Sequence, residues 1–104
     1  MKNPLGTWRV MRSTIGMEEI EFTRHALDRM EKRGISEEWI RRVMDHPDFV
    51  EEKADEWDNT HHIKAIEEFG GRFLRVVVNP FVSPRRIVTL HFDRGVKRRT
   101  RRQK

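Results

Sequence analysis

Cysteine is absent from the 104 residues, and no apolar run reaches the roughly 18 residues that a membrane-spanning helix needs. The lack of cysteine excludes disulfide bonds and thiolate metal sites. The charged start is not followed by the apolar run of a secretory signal, whether Met1 or Met17 is the natural first residue. We therefore expect a cytoplasmic protein of one domain without a membrane partner.

Acidic residues are missing from the end of the chain. All 17 lie at or before Asp93, whereas Arg94–Lys104 contains 7 basic residues. Residues 1–93 carry 15 basic and 17 acidic side chains, so the overall charge of +5 belongs to the last segment. Such a segment either binds phosphates through counterion release or is a solvated end. Between Asp45 and Asp58, seven carboxylates accompany one lysine, and this acidic segment should repel nucleic acid.

The chain divides into three expected segments. Residues 1–18 lack sustained periodicity and contain turn-forming asparagine, proline and glycine, which predicts an irregular arm. The apolar Val10 and Met11 favour docking of part of this arm. Residues 19–94 hold the periodic patterns and form the domain, and residues 95–104 form a basic tail.

A row of basic side chains is the most informative pattern. His25, Arg29 and Arg33 are spaced by four residues, which places them on one side of a helix. Thr23 suits the N-cap of this helix, and Gly34 suits a left-handed C-terminal residue. The adjoining positions form an apolar stripe: Ala26, Leu27 and Met30.

A second helix is expected from the Ser36 cap to the stop at Pro47. Two helices joined by a short turn also suit a DNA-reading helix-turn-helix. We disfavour that alternative because the second helix carries few side chains suited to base edges, namely Arg41, Arg42 and His46.

The other periodic segments alternate between polar and apolar residues, as strands do. A short strand, Glu19–Phe22, precedes the helices, and four more should follow them: Phe49–Ala54, Thr60–Phe69, Arg72–Asn79 and Arg86–Phe92. Consecutive strands with short turns predict an antiparallel meander. The expected fold class is α+β, with two amino-terminal helices packed on a small antiparallel sheet.

Polar and aromatic side chains share the other face of this expected sheet. A last hairpin symmetrical about Val82 places Arg75 opposite Thr89 and Phe73 opposite His91. Cleavage of a phosphodiester requires cations that hold the phosphate and groups that transfer protons, and an aromatic ring can stack on a base. The same residues are also ordinary choices for solvent-facing strand positions, so the pattern leaves both interpretations open.

The preceding strand should add Lys64 to this face, with either His61 or His62, because neighbouring strand residues point to opposite sides. For the same reason the two histidines cannot share one metal ion on a regular strand. We expect no metal and no other cofactor, which suits RNA because its own 2′-hydroxyl can be the nucleophile.

Two ordered groups of residues carry a family resemblance. The first is His25-Ala-Leu-Asp-Arg29-Met30 with Arg33-Gly-Ile-Ser36, and the second is Leu74-Arg-Val-Val-Val78 with Ile87-Val-Thr-Leu-His-Phe92. Together they resemble the bacterial family called domain of unknown function 4258, over about residues 20–95. That family looks like a distant relative of the RelE-like and BrnT-like toxins, small ribonucleases with two helices on an antiparallel sheet.

The resemblance implies that RNA binds the sheet face opposite the main core and that a nearby gene encodes a neutralising antitoxin. His25 and Arg29 match the helix motif, and Arg75 and Thr89 fall on strands where related toxins keep basic and polar residues. We therefore expect a metal-independent endoribonuclease, the toxin of a type II toxin–antitoxin pair. Its partners would be RNA, including ribosome-bound messenger RNA, and an antitoxin, with a homodimer left open.

The expected catalytic residues are His25, Arg29, Arg75 and His91. The expected substrate-binding residues are Lys64, Phe73, Thr89 and Arg33. Within this set the arginines and the lysine bind phosphate, a histidine transfers protons, the threonine orients a phosphate oxygen and the phenylalanine stacks on a base. The alternative is a noncatalytic module of the same fold, in which the basic tail binds RNA or the acidic segment docks a basic partner.

Overall fold

The computed structural model describes residues 9–12 and 18–94. This part of the chain forms, in order, β1 (Arg9–Arg12), β2 (Glu19–Phe22), α1 (Arg24–Arg33), α2 (Glu37–Asp45), β3 (Phe49–Glu51), β4 (Thr60–Ile66), β5 (Arg72–Asn79) and β6 (Arg85–Asp93). A short 3₁₀ turn, Glu67–Phe69, follows β4. Neither helix in these residues is long and apolar enough to span a membrane.

The strands form one six-stranded sheet in the order β1-β2-β6-β5-β4-β3. β2 runs parallel to β6, and the other neighbouring pairs are antiparallel. The predicted fold class is therefore wrong: the sheet is mixed rather than a small antiparallel meander, and β1 precedes the helices in addition to the predicted strand Glu19–Phe22. The cause is the pairing of Ile20 to Phe22 with Arg85 to Ile87, which joins distant segments and leaves no local signal in the sequence.

The first strand corrects the expected irregular arm. Arg9–Arg12 forms β1 and pairs with β2 at the edge of the sheet. Met11 is buried in the core, which confirms the predicted docking at this residue, whereas Val10 is exposed. The predictions for residues 1–8, 13–17 and 95–104 lie outside the described residues.

The first helix has the predicted caps. The Thr23 hydroxyl accepts a hydrogen bond from the Ala26 backbone N–H at 3.1 Å. Gly34 ends α1 with φ of 65°, a left-handed conformation that a residue without Cβ adopts at little cost. Leu27 and Met30 pack against the core. The basic row is thereby directed away from this apolar stripe.

The second helix also begins at its predicted cap, where the Ser36 hydroxyl accepts a backbone N–H at 3.2 Å. Its two arginines bond to carboxylates of the same chain: Arg41 to Glu37 at 3.1 Å and Arg42 to Glu68 at 2.6 Å. These contacts argue against a DNA-reading helix, because side chains that read bases need free donor groups.

The two helices cover one face of the sheet, which we call the helix-covered face. The main hydrophobic core lies between the helices and this face of the sheet. Its fully buried side chains include Ile20, Phe22, Ala26, Ile40, Val43, Ile66, Leu74, Val76, Val78, Ile87 and Leu90. Burial of this apolar surface is the main source of stability for a domain of this size. A smaller cluster, Ile63 and Phe73 with Phe49 and Ala65, lies apart from it.

Thr23 ties α1 to the sheet in addition to capping it. Its backbone N–H donates to the Ile87 carbonyl at 3.1 Å, and its hydroxyl donates to the Val88 carbonyl at 2.9 Å. The pairing of β2 with β6 ends at Ile87, and α1 packs against β6. One residue therefore ends a strand, begins a helix and joins both to β6.

Replacing Thr23 by valine should remove the cap and the bond to Val88 at nearly constant side-chain volume. We expect the free energy of unfolding to fall by about 1–2 kcal/mol, because an N-cap is worth about 1 kcal/mol and a carbonyl loses its partner. Chemical denaturation measures this change. Thr23→Ser keeps the hydroxyl and serves as the control, and equal losses in both variants would contradict the role of the hydroxyl.

Candidate functional site

The β5–β6 hairpin differs in register from the predicted symmetrical turn. Arg75 pairs with His91 rather than with Thr89, so the prediction of direct partners is wrong. The turn shifts the pairing by one residue, and a β-bulge at Val88 shifts it by another. A total shift of two residues in the β5–β6 pairing leaves every side chain on its face, so Arg75, Thr89 and His91 still share one face. We call it the polar face.

Lys64 lies on the opposite side of the sheet. It pairs with Leu74, a residue of the helix-covered face, and its Nζ is 3.5 Å from Asp48 Oδ1. Ile66 pairs with Arg72 across the 3₁₀ turn Glu67–Phe69, whereas a hairpin closed at Gly70-Gly71 would pair Phe69 with Arg72. The pairing therefore differs by three residues, and an odd difference reverses the faces. The prediction that Lys64 joins the polar face is wrong for this reason.

His61 joins the polar face instead. Its Nδ1 lies 2.8 Å from Arg75 Nη1, and its Nε2 lies 3.0 Å from Asp55 Oδ2. The hydrogen bond from His61, helped by backbone N–H groups of Asn59 and Trp57, lowers the pKa of Asp55 to about 2. Of the two histidines that the sequence left open, the register selects this one.

Arg75 is the centre of a group of polar contacts that the sequence did not predict. Its Nε donates to Asp93 Oδ2 at 2.7 Å, and its Nη1 donates to Glu51 Oε1 at 3.0 Å and approaches His61. We call Arg75, Glu51, Asp55, His61 and Asp93 the Arg75 cluster. Only 10% of the Arg75 side chain is exposed, so these partners compensate a largely desolvated charge. Register alone brings the acids here, which is why no local pattern revealed them.

His91 is half-buried beside this cluster. Burial is the main cause that lowers its pKa, the charges of Arg75 and Arg29 lower it further, and Asp93 opposes them. The His91 ring makes no hydrogen bond within the described residues. A neutral imidazole with a free nitrogen can accept a proton near pH 7.

Arg29 reaches the polar face from α1, close enough for its charge to act on His91. Its Nε is buried without a hydrogen-bond partner in the described part of the chain, and the same holds for Thr89 Oγ1. Thr89 lies two residues before His91 on the same strand, on the same face. Two buried polar atoms without partners therefore flank one histidine, and each such atom costs free energy until a ligand or water bonds to it.

His25 and Arg33 lie one turn before and one turn after Arg29 on α1, and both are exposed. The predicted basic row is thus present along the helix that packs against β6. Only its middle member is half-buried near the polar face. The outer two are available to groups of a ligand that extend beyond it.

Phe73 does not have the exposure that stacking on a base needs. It is 7% exposed and packs against Phe49 with ring centroids 5.9 Å apart, and it pairs with Asp93 rather than with His91. Its position favours a structural role in the small apolar cluster.

Metal ligation has no candidate in residues 9–12 and 18–94, since these contain no group of three His, Asp or Glu side chains placed to hold an ion. The arrangement offers a candidate anion site: the guanidinium Nε of Arg29 and the hydroxyl of Thr89, both without partners in the described residues, lie near the His91 imidazole, whose lowered pKa favours the neutral form. A phosphate group has the charge and the acceptor oxygens to satisfy both donors.

Residues 22–91 match the model of the family described as Domain of unknown function (DUF4258). The chain belongs to this family. The match includes α1, His91 and every member of the Arg75 cluster except Asp93. The predicted family is confirmed. No curated protein and no solved structure matches the chain, and the relation to RelE-like toxins stays a prediction.

His62, the other histidine of the pair, lies on the helix-covered face opposite Val76. It is 8% exposed, and neither ring nitrogen has a partner in the described residues. Burial, followed by the charges of Arg85 and His61, lowers its pKa to about 4. Folding therefore favours the neutral ring.

The pKa of His62 predicts a loss of stability in acid. Because the folded pKa lies below the ordinary value of 6.5, the neutral ring contributes fully above pH 6.5, and this contribution is lost as the pH falls toward 4. His62→Leu should remove about 2–3 kcal/mol of the decline in unfolding free energy between pH 7 and pH 4. Denaturation at several pH values tests this, with the exposed His46→Gln as control. Equal pH dependence in the wild type and His62→Leu would overturn the assignment.

Proposed function

We propose that this protein is a metal-independent endoribonuclease, acting as the toxin of a type II toxin–antitoxin pair. The observation that carries the proposal is the half-buried Arg29, whose Nε and whose neighbour Thr89 Oγ1 lack partners beside His91. A buried Nε–H of a guanidinium without an acceptor costs free energy, and a bound phosphate would offset that cost.

In the binding step, one phosphate of RNA would accept hydrogen bonds from both unpartnered donors. Arg29 Nε–H would donate to one nonbridging oxygen and the Thr89 hydroxyl to another, which stabilises the charge that grows on these oxygens during attack. Arg33, exposed one turn further along α1, would contact the neighbouring phosphate.

The chemical step requires two proton transfers. His91 would accept the proton of the ribose 2′-hydroxyl while the 2′-oxygen attacks phosphorus and the bond to the 5′-oxygen breaks. His25, in the first turn of α1, would donate a proton to the leaving 5′-oxygen. The products are a 2′,3′-cyclic phosphate and a 5′-hydroxyl. Burial and the neighbouring arginine charges keep His91 in the neutral form that a base needs.

A second candidate is a noncatalytic module that binds RNA or another protein. The acids of the polar face favour it, because Glu51, Asp55 and Asp93 offset the charge of Arg75 and weaken attraction for phosphate. In that case RNA affinity would come mainly from the basic tail, and cleavage would be absent.

A cleavage assay on a labelled single-stranded RNA in the presence of EDTA separates these functions. We expect products with 2′,3′-cyclic phosphate ends, no cleavage of the 2′-O-methyl RNA, and losses of about 100-fold or more in kcat/KM for His91→Ala and Arg29→Ala. Lys64→Ala is the matched control, since Lys64 lies on the opposite face and its loss should change the rate little. Binding without cleavage would instead support the module.

Induced expression in a bacterial host tests the toxin role. Growth arrest with RNA breakage is expected for the wild type, and His91→Ala should relieve both because it removes the proposed base. Growth and total RNA integrity are followed together in cells with equal amounts of soluble protein. Harmless expression of a folded wild type would contradict the toxin role.

A further inference from the structure

We infer that Arg75 is a positioning residue, which orients His61 and pairs with Asp93, and that it does not itself bind the phosphate. The inference rests on the proposed function where it concerns RNA, but its structural part stands on the contacts of Arg75 alone. It assigns different roles to the two arginines near His91.

All three nitrogen atoms of the Arg75 guanidinium are engaged. Nε and Nη2 contact Asp93 Oδ2 at 2.7 and 2.6 Å, and Nη1 contacts Glu51 Oε1 at 3.0 Å and His61 Nδ1 at 2.8 Å. These partners lie on β6, β3 and β4, while Arg75 itself lies on β5. One side chain thus connects four adjacent strands, and its removal would release Glu51, His61 and Asp93 from these contacts.

The contact with Arg75 determines the tautomer of His61. A guanidinium can only donate, so His61 Nδ1 must accept, and the ring proton therefore resides on Nε2, which donates to Asp55 Oδ2 at 3.0 Å. Both ring nitrogens are used. His61 cannot exchange a proton with a substrate without losing one of these bonds, which leaves His91 as the histidine of the polar face that is free to do so.

Arg75 also controls the charges around His91. The groups that act on the ring are Arg75, Asp93, Arg29 and His61, from β5, β6, α1 and β4. Asp93 favours the protonated ring, and Arg75 opposes it both directly and by pairing with that carboxylate. Loss of Arg75 would remove both effects, and the base would become protonated at a higher pH.

Four of the five N–H donors of Arg75 already have acceptors, and the side chain is only 10% exposed. A phosphate that bound through two donors of this guanidinium would have to displace Asp93 or Glu51. Arg29 has no such competitor among the described residues, and its Nε is unpartnered. The cation that meets the substrate is therefore Arg29.

Nuclear magnetic resonance of the wild type and two variants tests this division. The probe is a short 2′-O-methyl single-stranded RNA, which binds without being cleaved. In the wild type we expect it to shift the Nε–H signal of Arg29 and to leave that of Arg75 in place. In both Arg75→Lys and Arg75→Met we expect His61 to populate both tautomers. In Arg75→Met we also expect His91 to titrate at higher pH than in the wild type.

Affinity for the same RNA provides the second measurement. Both Arg75 variants should stay within about twofold of the wild type, whereas Arg29→Ala should bind at least about tenfold more weakly. In active protein, Arg75→Met should also shift the acidic limb of the pH–rate profile upward, as a base of higher pKa requires.

Two results would overturn the inference. One is a shift of the Arg75 Nε–H signal on RNA binding with a loss of affinity that matches Arg29→Ala. The other is an unchanged His61 tautomer and an unchanged His91 titration in folded Arg75→Met. If the wild type neither binds nor cleaves RNA, the proposed function fails, and the histidine signals still decide whether Arg75 positions them.

Discussion

The two hydrogen bonds from Thr23 to the carbonyls of Ile87 and Val88 are the constraint on which the polar face depends. They end β2 after its short parallel pairing and place the start of α1 against the remaining length of β6. Because a helix is rigid, fixing its first residue and burying its apolar stripe determines where the next turn lies. Arg29 can act on His91 only because of this placement.

The number of residues by which a register shifts decides which side chains meet. Two single shifts in the last hairpin cancel in their effect on sidedness, so Arg75, Thr89 and His91 share a face although their predicted pairing was wrong. The shift at the β4–β5 turn is odd, and it exchanges Lys64 for His61. A site composed of strand residues is sensitive to one residue of turn length.

The helices were predictable because their signals are local. A cap such as Thr23 and a left-handed glycine such as Gly34 act within one turn of the chain, and both were correct. The parallel pairing of β2 with β6 and the inclusion of Arg9–Arg12 in the sheet depend on distant partners, so no nearby pattern announces them. The Arg75 cluster was missed for the same reason, since its acids come from three separate segments.

Unpartnered buried atoms identify a site only in combination with charge and access. His62 has two such nitrogens, yet it lies in the helix-covered layer opposite Val76, where the neutral ring behaves as an apolar side chain. Arg29 cannot become neutral in this way because a guanidinium stays charged at any physiological pH. Its missing partner therefore represents a free energy cost that folding does not remove, whereas the cost at His62 is limited by loss of a proton. A buried nitrogen without a hydrogen-bond partner therefore indicates a ligand at Arg29, whose charge is permanent. At His62, whose charge is titratable, it indicates sensitivity to acid.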